Sequence, residues 1–244
     1  ADLALVADAG EAMDKLEEAL KNSKRAKPSK ARQKQIADWS EYFRRRTTPR
    51  SNRIGLKDGT IDLEGVYHDI LNILTDDASI TCDAGDFGSW LIRYYKWNQP
   101  RTFFGPTTGA MGYALPAAIA AKLARPQAPA IAFAGDGGFA MTMSELETAV
   151  RMNLDGLVVL VFNNNNYGTI SRHQNREFPG RPVGTGLCTI DFSAIAKAMG
   201  AEGFKVSKNV EFSEAFNAAL NVGCPAVIDI TVGGNSLDPW DDNN

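Results

Sequence analysis

Two short apolar runs, each closed by a polar, glycine-containing turn, constrain this chain more than any other feature. The first, Ala130-Ile131-Ala132-Phe133-Ala134, runs into Gly135-Asp136-Gly137-Gly138. The second, Leu157-Val158-Val159-Leu160-Val161-Phe162, runs into Asn163-Asn164-Asn165-Asn166-Tyr167-Gly168. Short runs that are apolar throughout suit strands buried on both faces, as in parallel sheets. Between them, Met141 to Met152 reads as a helix with Met143, Leu146 and Val150 on one side. Strand, helix and strand make a βαβ unit. Its right-handed crossover brings the C-terminal ends of both strands to one sheet edge. Asp136 and Asn164, 28 positions apart, are therefore expected where open α/β sheets bind ligands.

The residue types at that edge suit a divalent cation holding a diphosphate. Mg2+ prefers hard oxygen ligands and usually takes one or two carboxylates together with phosphate oxygens. Asp136 offers the carboxylate and Asn164 an amide oxygen, and the loop beyond can turn a backbone carbonyl inward. Gly137 and Gly138 lack a Cβ, so their N–H groups can approach a phosphate closely. Gly-Asp-Gly alone is equally an ordinary tight turn. It is the closing of one βαβ unit by both half-motifs that points to a site.

Gly135-Asp136-Gly137, a helix and strand, and then Asn163-Asn164 resemble the thiamine diphosphate motif of enzymes related to acetolactate synthase, pyruvate decarboxylase and benzoylformate decarboxylase. The resemblance covers about residues 56–233, the diphosphate-binding domain of such enzymes. It implies thiamine diphosphate and Mg2+ as cofactors, and leaves open whether FAD is also bound. The spacing is about one residue longer than usual in that family, and the turn Asn153-Leu154-Asp155-Gly156 accommodates the insertion. Asp136, Asn164 and the carbonyl of Asn166 are then the expected metal ligands, with Gly135, Gly137, Gly138, Tyr167, Gly168 and Thr169 around the cofactor.

Two further stretches acquire roles through the resemblance. Ala78 to Cys82 reads as a strand, and Asp83-Ala84-Gly85-Asp86-Phe87-Gly88-Ser89 follows it. By itself this is a tight strand-to-helix turn; in the family the corresponding loop touches the diphosphate, which implies Asp86, Phe87 and Gly88 as cofactor neighbours. A carboxylate at Asp86 would repel phosphate, so Asp86 is expected to cap the following helix instead. Thr102 to Pro116 is a Gly-rich turn leading into an apolar helix through Ala124. Met111 reads plainly as core filling. The resemblance makes it the bulky residue that holds the two rings of thiamine folded, with the Gly109 carbonyl accepting from the 4′-amino group. His173 stands where acetolactate synthases commonly have a Trp beside the substrate, and is read either as a proton donor or as a surface or helix-end residue.

The rest of the chain sets boundaries. Asp2 to Ala7 reads as a strand and Ala9 to Leu20 as an amphipathic helix, so residues 1–22 look like the tail end of a preceding domain. Residues 23–55 read as a basic linker. Residues 21–53 hold twelve Lys or Arg against Asp38 and Glu41, although the chain as a whole carries only −3. Such a run is an anion-binding patch or a solvated linker. A short helix at 31–46, bearing Ile36, Trp39, Tyr42 and Phe43, favours a linker whose helix packs on something. Residues 56–233 alternate helices and strands: Leu63–Leu74, Asp191–Met199 and Phe212–Leu220 as helices, Gly203–Val206 and Ala226–Val232 as strands. The fold class is α/β, a doubly wound, mostly parallel sheet of about five or six strands with helices on both faces. Residues 234–244 read as an acidic, mobile tail.

Composition narrows the function classes. The net charge gives no general bias toward nucleic acid. No apolar run approaches the ~20 residues that span a membrane. Cys82, Cys188 and Cys224 are too scattered for a disulfide framework or a zinc site, which fits a reducing, cytoplasmic setting. The reading is the C-terminal part of a thiamine diphosphate-dependent decarboxylase or carboligase acting on a small 2-oxo acid. The alternative is a non-catalytic diphosphate-binding or regulatory subunit. In the resembled family a Glu from an N-terminal pyrimidine-binding domain activates the cofactor, and no counterpart of that domain is visible. The site is thus expected to need that missing domain or subunit. Exposed Met111 and Phe87 are expected to favour a homo- or hetero-oligomer.

Overall fold

The computed structural model describes residues 2, 4–23 and 28–233. The acidic tail at 234–244, Leu3 of the expected first strand, and Lys24–Lys27 of the linker lie outside the described residues. The chain divides into two units, residues 1–45 and 46–244. Residues 46–55 belong with the larger unit: Arg50 Nη2 pairs with Glu64 Oε2 at 2.7 Å, and Asn52 Nδ2 donates to Asp62 Oδ2 at 2.7 Å.

The smaller unit contributes helix α1 (Ala9–Asn22) and most of α2 (Lys30–Arg46). Asp8 caps α1 by accepting from the N–H groups of Gly10 and Glu11. The expected strand at 2–7 is not formed among its described residues. A strand needs a hydrogen-bonded neighbour, and every strand of the described structure lies between Ser79 and Thr231.

In the larger unit the chain runs α3 (Leu63–Ile73), β1 (Ser79–Cys82), α4 (Phe87–Tyr94), β2 (Phe103–Phe104), α5 (Ala114–Ala124) and β3 (Ala130–Gly135). It continues with α6 (Asp136–Thr142), α7 (Leu146–Arg151), β4 (Leu157–Asn163), α8 (Gly168–Glu177), α9 (Phe192–Ala198), β5 (Glu202–Val206), α10 (Asn209–Asn221) and β6 (Ala226–Thr231). The six strands form one sheet in the order β2-β1-β3-β4-β6-β5, and every pairing is parallel.

Helices cover both faces, which is why β3 and β4 are apolar at successive positions. Alternation still assigns each residue to a face. Ile131, Phe133, Val158, Leu160 and Phe162 pack with Tyr67 of α3, Phe87 and Trp90 of α4, and Phe212 and Phe216 of α10. Ala130, Ala132, Ala134, Leu157, Val159 and Val161 pack with α5, α6, α7 and α9. The alanines of β3 lie against Ala114 and Ala118 of α5. Small residues on both elements let that helix sit close to the sheet.

The crossover between β3 and β4 differs from the single helix expected at Met141–Met152. Helix α6 begins at Asp136, directly out of β3, and ends at Thr142. Thr142 leaves the helical region at φ −133° and ψ 12°, a 3-10 turn covers Met143–Glu145, and α7 follows. Among the described residues no helix is long and apolar enough to cross a membrane.

Candidate functional site

The connections leaving β1 and β3 go to opposite faces: α4 packs with the first core and α6 with the second. Adjacent strands whose connections diverge leave a crevice at their carboxyl ends, the usual ligand position in such sheets. A cavity of about 230 Å³ lies there. That is many times the ~10–15 Å³ of the same measure that one water needs, so it has room for a ligand group.

Its lining draws on four segments. Ala84, Gly85, Asp86 and Phe87 come from the turn after β1, and Gly109 and Met111 from the turn before α5. Gly135–Gly138 come from the start of α6, and Phe162, Asn164 and Asn166–Ile170 from the end of β4 and the start of α8. The fold thus brings together Asp86, Phe87, Gly109, Met111, Gly135, Asp136, Gly137, Gly138, Asn164, Asn166, Tyr167, Gly168 and Thr169. It does not bring in Gly88 or His173. Gly88 is buried one residue behind the lining, and His173 is exposed on α8. Ala84, Gly85, Phe162 and Ile170 are lining residues not expected from sequence; the first two were legible as part of the same turn.

Asp136 and the asparagine loop converge. The Asn166 N–H donates to Asp136 Oδ2 at 3.2 Å and to Asn164 Oδ1 at 3.1 Å. A carboxylate oxygen and an amide oxygen therefore sit side by side. Asp136 Oδ1 accepts from Gly137 N–H at 2.8 Å, so that N–H, expected to face a phosphate, is engaged by the carboxylate beside it. Burial pushes the Asp136 carboxyl above the usual carboxylate range, partly offset by the N–H groups of Gly137 and the asparagine loop. The Asn166 carbonyl accepts from Gly168 N–H at 2.8 Å, and a carbonyl has a second lone pair. Asn164 Nδ2, Asn165 Oδ1 and Asn166 Oδ1 are buried with no hydrogen-bond partner among the described residues. Orphaned buried amide atoms are costly and mark places where a partner belongs.

Asn163, the first of the run, is turned elsewhere: its Nδ2 donates to Asp229 Oδ1 at 3.0 Å. Asn165 adopts the left-handed conformation, φ 55°, which asparagine tolerates better than most residues. The loop is braced from outside by the segment after α8. Tyr167 N–H donates to Thr185 O and Leu187 N–H to Asn165 O, at 2.9 and 2.8 Å.

The glycines of α6 serve close packing. A Cβ on Gly137 would overlap the Tyr167 ring, and one on Gly138 would overlap Asp83 Oδ2. Asp83 went unassigned in the sequence, and it ties the site together. It is 4 % exposed, and its carboxylate accepts from Gly112 N–H at 3.0 Å and Ala114 N–H at 2.6 Å. It thereby caps α5 from a distant segment, since Tyr113 at the cap position makes no side-chain cap bond. Ala84 N–H donates to Ala110 O at 3.2 Å and closes the same contact. Burial raises the Asp83 carboxyl, opposed by the N–H groups of Ala114, Gly112 and Tyr113. The turn that carries Gly109 and Met111 is thus fixed to the end of β1. Gly109 and Gly112 have φ of 66° and 77°, conformations that suit glycine.

Two expectations are corrected. Asp86 makes no cap bond to α4; its Oδ1 is taken by Arg172 Nη2 of α8 at 2.6 Å. That ion pair links the turn after β1 to α8 and offsets the charge of the carboxylate that looked out of place beside a phosphate. Phe87 is not an exposed association surface. It is buried, stacks on Phe162 at 5.4 Å, and lies against Gly85 and Gly135 as the cleft floor. Met111 is 37 % exposed and is among the lining residues.

No cluster of three His, Cys, Asp or Glu side chains able to hold a metal occurs among the described residues. A cation here would rely on Asp136 with amide and carbonyl oxygens. Residues 83–230 match the family described as thiamine pyrophosphate enzyme, C-terminal TPP binding domain. The chain belongs to this family. It is 40 % identical over 159 residues to the thiamine pyrophosphate-containing protein YdaP of Bacillus subtilis, covering 65 % of this chain and 27 % of that protein. It is 33 % identical over 176 residues to the mitochondrial acetolactate synthase catalytic subunit of Aspergillus candidus, covering 70 % of this chain and 25 % of that one. The chain thus spans about a quarter of the length of these relatives. Among solved structures, a thiamine diphosphate-dependent 4-hydroxybenzoylformate decarboxylase of Rhodococcus jostii RHA1 superposes with a TM-score of 0.76 over 96 % of this chain and 41 % of that chain. At 22 % identity this likeness speaks for the fold.

Proposed function

We propose that this chain supplies the diphosphate- and Mg2+-binding half of a thiamine diphosphate-dependent active site that acts on 2-oxo acids, as a decarboxylase or carboligase of the acetolactate synthase type. The observation that carries the reading is the meeting of Asp136 Oδ2 and Asn164 Oδ1 on one N–H, beside buried amide atoms without partners. A hard cation with phosphate oxygens suits that donor set. Asp136 would contribute the charge, Asn164 its amide oxygen and Asn166 its carbonyl. Thiamine diphosphate, when bound, supplies the nucleophilic carbon and the electron sink for decarboxylation.

The remaining roles belong to the chain's own residues. Met111 lines the cleft and would hold the cofactor's rings in a bent shape. The Gly109 carbonyl would accept from the aminopyrimidine. Asp83 keeps both on one rigid turn. The Asp86–Arg172 pair offsets the charge of a carboxylate that lines the cleft. His173, exposed on α8, is a candidate for the substrate side only where a further domain covers that helix. The base that activates the cofactor would come from an N-terminal pyrimidine-binding domain, so residues 1–244 alone would bind without turning over.

Calorimetric titration tests this reading. Thiamine diphosphate should bind residues 1–244 only when Mg2+ is present, and unphosphorylated thiamine should not bind. Asp136→Ala should abolish the Mg2+-dependent binding. Equal affinity with and without Mg2+, or an Asp136→Ala chain that binds as wild type, would sink the metal assignment. A pure 1–244 chain that decarboxylates 2-oxo acids unaided would sink the half-site argument.

A further inference from the structure

Asp229 lies in the middle of β6, 1 % exposed, opposite Val161 of β4. An apolar residue would suit a buried parallel strand better, because burying a carboxylate carries a large desolvation cost. Its two oxygens are used in a specific way. Oδ1 accepts from Asn163 Nδ2 at 3.0 Å, and Oδ2 accepts from Phe192 N–H, at the start of α9, at 3.0 Å.

An ionised carboxylate only accepts hydrogen bonds. Asn163 must therefore turn its amide nitrogen toward Asp229. That nitrogen also donates to Ile190 O at 3.2 Å. The amide oxygen is left facing the loop, where it accepts from Asn165 N–H at 3.3 Å. Asn164 repeats the pattern one residue on, accepting from Asn166 N–H. The path runs from Asp229 through Asn163 to the backbone of Asn165, and so to the turn that carries Asn164 and Asn166.

We propose that Asp229 and Asn163 form a positioning pair that orients the asparagine loop for its cation. The proposal rests on the reading of the cleft given above. Neither residue ligates the cation. Asp229 sets which way the Asn163 amide points, and Asn163 sets the loop.

The test uses the full chain, Mn2+ as the probe cation, thiamine diphosphate in excess, and electron paramagnetic resonance to count free Mn2+. Wild type should bind Mn2+ in a thiamine diphosphate-dependent way. Asp229→Asn and Asn163→Asp should each weaken Mn2+ binding about tenfold or more, the scale on which outer partners act on metal ligands. The double exchange, Asn163→Asp with Asp229→Asn, should recover part of the loss of the weaker single variant, because donor and acceptor trade places between these two positions while Ile190 O loses its donor. In that double variant the amide oxygen at position 229 can still accept from Phe192 N–H. The carboxylate at position 163 can still accept from Asn165 N–H. Affinities are read well below each variant's melting temperature, so a merely structural role would leave them unmoved. If Asn163→Asp does not fold, Asn163→Ser replaces it, with the same tenfold loss expected. Folded single variants with wild-type affinity, or a double variant no better than the weaker single, overturn the proposal. A wild-type chain with no cofactor-dependent Mn2+ binding overturns the reading of the cleft as well, and is seen before any variant is made.

Discussion

Asp83 Oδ1 accepts a hydrogen bond from the Ala114 N–H at 2.6 Å, joining the end of β1 to the first turn of a helix 31 positions away. Its other oxygen takes the Gly112 N–H. Asp83→Ala leaves both N–H groups without an acceptor in a buried place, at about 1–3 kcal/mol each. Urea unfolding should show a loss of about 2–6 kcal/mol, and Asp83→Asn about half of that, since one oxygen still accepts. A loss below about 1 kcal/mol for the alanine variant would mean that the turn holds itself.

The same group makes a pH prediction. Burial raises the Asp83 carboxyl above its unfolded value of 3.8, so the folded chain holds this proton more tightly than the unfolded chain. The associated stability is fully present below the unfolded value and is lost as pH rises through the folded value. Wild type should therefore lose stability relative to Asp83→Asn as pH rises above the unfolded value of 3.8, measured by urea midpoints of the two chains over a pH series. A gap that widens in favour of wild type over that range counts against burial as the dominant influence.

Gly137 and Tyr167 should behave as a coupled pair. A Cβ at residue 137 overlaps the Tyr167 ring, so Gly137→Ala should cost about 1–3 kcal/mol by overpacking. In a Tyr167→Ala background most of that cost should vanish, giving a coupling energy of about 1 kcal/mol or more. Additive effects in thermal or urea unfolding would show that the ring moves away freely.

Met111→Ala should separate binding from activation. The diphosphate anchor would lie at Asp136 and the asparagine loop, so cofactor affinity should change by less than about threefold. In an enzyme completed by its N-terminal portion, exchange of the thiazolium C2 proton, followed by NMR, should slow by about 10²-fold, because misplaced reacting atoms are costly. An unchanged exchange rate would return Met111 to the role of a packing residue.

Much of the framework was legible because it rests on local patterns. The apolar runs of β3 and β4 have the length and continuity of strands covered on both faces, and the polar turns after them mark where the chain leaves the sheet. Once two parallel strands and a crossover are granted, Asp136 and Asn164 have to reach the same edge. The helices at Leu63, Phe192 and Asn209 follow from apolar spacing, with Asp62 and Asp191 as side-chain caps on the first two. Local pattern also misled. Residues 2–7 carry strand-like alternation and form no strand among those described, and the run from Met141 to Met152 is helical in spacing but broken at Thr142.

What the sequence by itself determined is most of the elements of the sheet domain, a mostly parallel arrangement and the edge where the polar, glycine-containing turns collect, because apolar period and turn chemistry act over a few residues. The tertiary structure alone decided the partners of the buried charges: Asp83 with Gly112 and Ala114, Asp86 with Arg172, and Asp229 with Asn163. Each of those contacts joins positions 29 to 86 residues apart. Which groups meet across such distances depends on strand order and register. A buried carboxylate takes whichever donors the fold brings within reach, since leaving it unsatisfied costs more than any local preference can repay.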